Sequence, residues 1–187
     1  MSAPSTYSEW IDCFEQFKEG KNDELVIQAM EKGTIVWTKG VAERLTSGLY
    51  EVLNIRLRHT ADHLQKELNN SRGNETAIVK GFLTARNRLT VLRRVANLPP
   101  FPEEVRDAMC NLLHEYAKNT QKTIEESAAS DRTGRLSSIF RNNAITRFDQ
   151  IENTFSSPVK SINKSIETNA TPTTLGQKSI RRRVILP

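Results

Sequence analysis

Apolar side chains recur along this chain at intervals of three and four, the period of an α-helix with one buried face. Tyr7, Trp10, Ile11, Phe14 and Phe17 share one face of a helix predicted over residues 6–19. Ser5 or Thr6 can cap it, with Glu9 completing a capping box, and Gly20 closes it. A short second helix follows Asn22, carries Leu25, Val26, Ala29 and Met30, and stops at Gly33. Thr34-Ile35-Val36-Trp37 is β-prone but isolated, so it reads as an extended connector whose Ile35 and Trp37 tuck onto the core.

The third helix is the longest, over residues 39–69. Its stripe is Val41, Leu45, Leu49, Val52, Leu53, Leu57, Ala61, Leu64 and Leu68, with a bend expected at Ser47-Gly48. After an Asn- and Gly-rich turn, a fourth helix spans 75–97 and turns Ile78, Phe82, Ala85, Leu89, Leu92 and Ala96 inward. Leu98-Pro99-Pro100-Phe101-Pro102 breaks it, because proline lacks an N–H and restricts the residue before it. The fifth helix starts at Pro102 or Glu103, with the stripe Val105, Met109, Leu112, Tyr116 and Ile124. Leu136, Ile139, Phe140, Ile145, Phe148, Ile151 and Phe155 make a weaker sixth helix within 131–155.

The fold class expected is therefore all-α. Short turns between long helices make neighbours antiparallel. A three-helix core over 39–130 is covered on one face by the aromatic helix and connector of residues 1–38, so that 1–155 form one bundle domain. From Ser156 onward Ser, Thr, Asn and Pro dominate, and the composition is that of a disordered tail, 156–187.

Charge refines this picture. The chain has 187 residues, 37% hydrophobic and 26% charged, and a net charge of +5. Residues 1–33 hold three basic and seven acidic groups (−4), 34–102 eleven and five (+6), 103–130 three and six (−3), and 131–187 ten and four (+6). Blocks of alternating sign suit helices that complement one another. The surplus favours an anionic partner, RNA or DNA first and acidic protein or membrane surfaces next, and solubility alone is the competing account. Cys13 and Cys110 lie in no CxxC or CxxH spacing and read as reduced thiols of an intracellular protein. Met1-Ser2-Ala3-Pro4-Ser5 lacks the features of a secretory signal. No apolar run is long enough to span a membrane.

Candidate chemistry is sparse. His59, His63 and Glu67 stand at i, i+4 and i+8 with Asp62 beside them, a spacing that can place ligands around zinc. The segment His59-Thr60-Ala61-Asp62-His63 lacks the glutamate of HExxH, and a solvated polar face explains it more simply. No GxGxxG, GxxxxGK[ST] or GxSxG occurs. Neither a cofactor nor a metal is expected, and a non-enzyme is the better reading.

The fourth helix holds Lys80, Arg86, Arg88, Arg93 and Arg94. At ~100° per residue Arg86 and Arg93 flank one edge of its apolar stripe and Arg88 the other, while Lys80 and Arg94 face outward. Guanidinium forks so placed can hold phosphates. The alternative is pairing with Glu104, Asp107, Glu115 and Glu125 of the fifth helix. The stretch Arg86-Asn87-Arg88-Leu89, closing with Ala96-Asn97, resembles the RNA-binding helix of rod-shaped plant virus coat proteins. That resemblance covers about a dozen residues and implies RNA contact there. It does not extend to the rest of the chain and is not adopted as a family assignment.

The tail adds Ser157-Pro158-Val159-Lys160, a pattern of proline-directed kinases, and a minimal second modification site at Thr171-Pro172. Lys178 and Arg181-Arg182-Arg183 form a basic cluster suited to phosphate contact or nuclear import. Val184-Ile185-Leu186-Pro187 reads as a short apolar anchor. The expected function is a non-catalytic helical interaction subunit of a nucleic-acid-associated assembly, with a regulatory tail. A pure protein adaptor or homo-oligomeric structural protein is the second reading, and a metal-dependent enzyme at His59/His63 the third.

Overall fold

Six α-helices appear in a computed structural model that describes residues 1–71, 73–130 and 135–142. They are α1 (Tyr7–Glu19), α2 (Asp23–Glu31), α3 (Lys39–Asn70), α4 (Glu75–Ala96), α5 (Glu103–Ala129) and α6 (Arg135–Asn142). No strand occurs among the described residues, so the protein is all-α. None of these helices is long and apolar enough to cross a membrane. The expectations for residues 143–155 and for the tail lie outside the described residues.

The start of α1 follows from its sequence. Thr6 Oγ1 accepts from the Glu9 N–H, and Glu9 Oε2 accepts from the backbone N–H groups of Ser5 (2.7 Å) and Thr6 (3.0 Å). These amides hold the Glu9 carboxyl down at a pKa of about 2. A carboxyl depressed in the folded state stabilises above its unfolded value, and that contribution fades as pH falls from there toward the folded pKa. An NMR titration should therefore show Glu9 still ionised at pH 3, and an ordinary glutamate midpoint there would contradict the capping box. Gly20 ends α1 with a φ of 73°. That is the left-handed conformation, which glycine adopts without a Cβ penalty.

The helix directions follow from the contacts. Gly81 of α4 lies against Leu64 and Glu67 of α3, while Ala85 and Leu89 line one small cavity with Thr60 and Ala61, so α4 runs back along α3. A Cβ at Gly81 would sit 3.1 Å from Glu67 Cβ, and its absence lets the two helices approach closely. On α5, Tyr116 and Ala117 lie by Leu89 and Ala85, and Cys110 lies by Asn97, so α5 is antiparallel to α4. The phenol of Tyr116 donates to the Leu57 carbonyl at 2.8 Å and ties α5 to α3. The expected up-down-up core is thus present. α6 joins it through Ser137 Oγ, which donates to the Ala128 carbonyl at 2.9 Å, and through an edge-on Phe82–Phe140 pair at 5.6 Å.

The N-terminal helix covers α3 as expected. Ile11 and Phe14 approach Gly48, and a Cβ at that glycine would stand 3.1 Å from the Phe14 ring. Gly48 is the seat of α1, within a helix that continues from Lys39 to Asn70. Trp10, Phe14 and Phe101 form one buried cluster, with Trp10 edge-on to Phe101 at 5.5 Å. The indole N–H of Trp10 donates to the Thr34 carbonyl at 3.0 Å, which pins the connector. Trp37 also meets Phe101 edge-on at 5.5 Å, yet it stays 37% exposed, so this side chain covers the cluster instead of entering the core.

Two sequence expectations need correction. The inner face of α5 is Met109, Leu113, Ala117, Gln121, Ile124 and Ala128, whereas Val105, Leu112 and Tyr116 are half-buried. The real stripe passes through Ala117, Gln121 and Ala128, two small residues and a polar one, which apolar periodicity passes over. Arg86, expected at the edge of the α4 stripe, is buried with 8% of its surface exposed.

Candidate nucleic-acid interface

The candidate interface begins with how α4 is set. Its N-cap Asn74 accepts the Ala77 N–H at 3.2 Å. Glu75 lies in the first turn, where the helix dipole favours an anion. From Thr76 to Pro102 the sequence has no acidic residue. Every charge α4 carries after its first residue is therefore positive, and acids come only from neighbouring elements.

The structure divides the five basic residues of α4 into three situations. Lys80 is exposed and Arg88 half-buried. They lie two turns apart, roughly 12 Å along the axis and about 80° around it, so both reach one side of the helix. Arg86 is buried, and Arg93 is half-buried beside Cys110 of α5; each is engaged in interactions of its own. Burial removes Arg86 from the surface that a phosphate could reach. Arg94 bridges to α2: Nη1 donates to Glu24 at 2.7 Å and Nη2 to Glu31 at 3.0 Å. The Glu24 bond is the main cause of the raised Arg94 pKa, and that same bond lowers the Glu24 carboxyl. The ion pairs of Arg94 are thus made with α2, whereas the alternative to phosphate contact placed such pairs on α5.

Sequence reasoning missed Arg56. Its guanidinium is 4.8 Å from the Phe17 ring centroid, donates to the Phe17 carbonyl at 3.2 Å and pairs with Asp23. The signal was present: Arg56 sits between Leu53 and Leu57 on the buried side of α3, where an arginine needs a partner, and the N-terminal block is acidic. Further exposed cations on α3 are Lys39, Arg44, Arg58 and Lys66, mixed with Glu43, Glu51 and Asp62.

Other candidates are less assembled. His59 is exposed and His63 half-buried on α3, while the Glu67 stem packs at Gly81. Among the described residues no group of three or more His, Cys, Asp and Glu side chains is placed to hold a metal ion. Burial is the main cause of raised pKa values at both Cys13 and Cys110, which keeps them thiols near neutral pH. Arg181, Arg182, Arg183, Ser157 and Thr171 lie outside the described residues. No protein-family model, curated protein or solved structure gave a significant match to this chain.

Proposed function

We propose that the protein is a non-catalytic helical interaction subunit of a nucleic-acid-associated assembly, contacting phosphate without sequence specificity. The observation that carries this reading is that α4 holds no acid after Glu75, and it offers Lys80 and Arg88 while Glu24 and Glu31 of α2 are occupied by Arg94. Lysine and arginine placed this way displace counterions from a phosphate backbone whatever its base sequence. The basic run Arg181-Arg182-Arg183 adds a second phosphate contact, or a nuclear import address in a eukaryotic cell, and Ser157 and Thr171 are its regulatory sites. The protein works inside the cell in this account, in a complex or as a homo-oligomer.

The test compares the protein with a Lys80→Gln/Arg88→Gln variant on random-sequence single-stranded RNA and duplex DNA across a salt series. Each phosphate contact removed should lower the slope of log K against log salt by about 0.7 on single strands and about 0.9 on duplex. Identical slopes for variant and parent would remove α4 from the interface.

A second reading, a pure protein adaptor, draws on exposed apolar side chains. Leu25, Val36 and Tyr50 all stand in water. A protein partner would have to join such groups into one buried patch. Binding to immobilised partners that survives nuclease treatment, with no affinity for RNA or DNA, would favour it.

A further inference from the structure

Carboxylates of one short helix hold both ends of the Arg94 fork. Glu24 and Glu31 lie seven residues apart, two turns of α2, and present one oxygen each to the two ends of the guanidinium, at 2.7 and 3.0 Å. This is the arrangement a phosphate would offer: two oxygens to the two Nη groups of one planar fork. The other oxygen of Glu24 accepts from Gln28 Nε2 at 2.9 Å, which orients the carboxylate towards α4.

We infer that Glu24 and Glu31 act as a built-in phosphate mimic that masks Arg94, so that nucleic-acid phosphate binds α4 in competition with α2. The inference rests on the phosphate-binding reading of α4 and adds its regulation. Three features make the exchange physically accessible. Arg94 keeps 39% of its side chain exposed and Glu24 61%, so a phosphate can approach from solvent without opening the bundle. Val26, Ile27, Ala29 and Met30 anchor α2 in the core, so only the two glutamate side chains need to swing away. Ion pairs in water are individually weak, so the mask is released readily by a polyanion. Masking also leaves Lys80 and Arg88 as the first contacts. Arg94 lies fourteen residues beyond Lys80, roughly 21 Å along the helix, and extends the phosphate track once released.

Glu24→Gln/Glu31→Gln removes the competing charge and keeps side-chain size. On a random-sequence single-stranded 30-mer at fixed salt, this variant is expected to bind about three- to tenfold tighter, with a slope steeper by about 0.7 for one added contact. Adding Arg94→Gln should return both values to those of the parent, and far-ultraviolet circular dichroism confirms that each variant is folded. If the parent binds with a normal salt slope and the glutamate variant matches it, the mask is overturned while the function proposed for α4 stands. If the parent fails to bind but the glutamate variant binds, the mask is supported in its strongest form. If neither binds at any salt concentration, the phosphate reading of α4 fails and the mask fails with it.

Discussion

Phe101→Ala should destabilise the fold by about 3–5 kcal/mol, the range for removing a large aromatic from a core that cannot collapse around the loss. Phe101 lies between Pro100 and Pro102, in the link that α4 and α5 share, and only 2% of its surface is exposed. Its ring meets Trp10 and Trp37 edge-on at 5.5 Å and stacks with Phe14 at 6.5 Å. One side chain therefore joins α1, the 34–38 connector and the α4–α5 turn. Trp10 cannot fill the gap easily, because its indole N–H is held by the Thr34 carbonyl. The prolines on either side fix the local backbone, which limits collapse further. Urea denaturation measures the loss, and tryptophan emission should shift to the red as water reaches Trp10 and Trp37. A cost below about 0.5 kcal/mol, the surface range, would mean that this cluster does not hold α1 in place.

Arg56→Ala is expected to have the second largest effect, about 2–4 kcal/mol. The guanidinium satisfies the Phe17 carbonyl near the end of α1, covers the Phe17 ring and pairs with Asp23 at the start of α2. Its side chain is 15% exposed and that of Asp23 25%, so solvent screens the pair only in part. Asp23 Oδ1 is buried with no hydrogen-bond partner, which makes the carboxylate depend on Arg56 for its compensation. Removing the arginine leaves that charge without its counterion. Arg56→Met keeps the stem packing and should recover part of the loss. Asp23→Asn combined with Arg56→Met should cost less than the two single changes added together, by about 1 kcal/mol or more if the pair is coupled. Strict additivity in that double-mutant cycle would place the role of Arg56 in its packing and its carbonyl bond alone.

Much of this architecture is legible in the sequence, because helical periodicity is a local property. Every inward position assigned to α4, from Ile78 to Ala96, is buried, and the Thr6–Glu9 capping box forms as written. Apolar periodicity misreads the α5 register where the stripe passes through Ala117 and Gln121, residues whose burial depends on the close approach of neighbours and not on their own hydrophobicity. The charge pattern is legible only as blocks. Acidic and basic segments do meet, but α2 and not α5 supplies both carboxylates to Arg94. Sequence orders helices along the chain, whereas ion pairs follow their neighbours in space. Of the candidate site, Lys80 and Arg88 keep the accessibility that phosphate contact needs, and Arg86 does not. An arginine on an apolar stripe is ambiguous in sequence between snorkelling outward and pairing inward, and packing decides between them.

Sequence-independent phosphate binding is tested by fluorescence anisotropy of random-sequence RNA and DNA 30-mers titrated with residues 1–187. The series should run from about 50 to 200 mM salt, where released counterions dominate the response. Log K should fall linearly with log salt, with a slope corresponding to at least two phosphate contacts and little dependence on base sequence. Absence of binding at the lowest salt by both this protein and its Glu24→Gln/Glu31→Gln variant, or an affinity that salt leaves unchanged, would contradict phosphate binding.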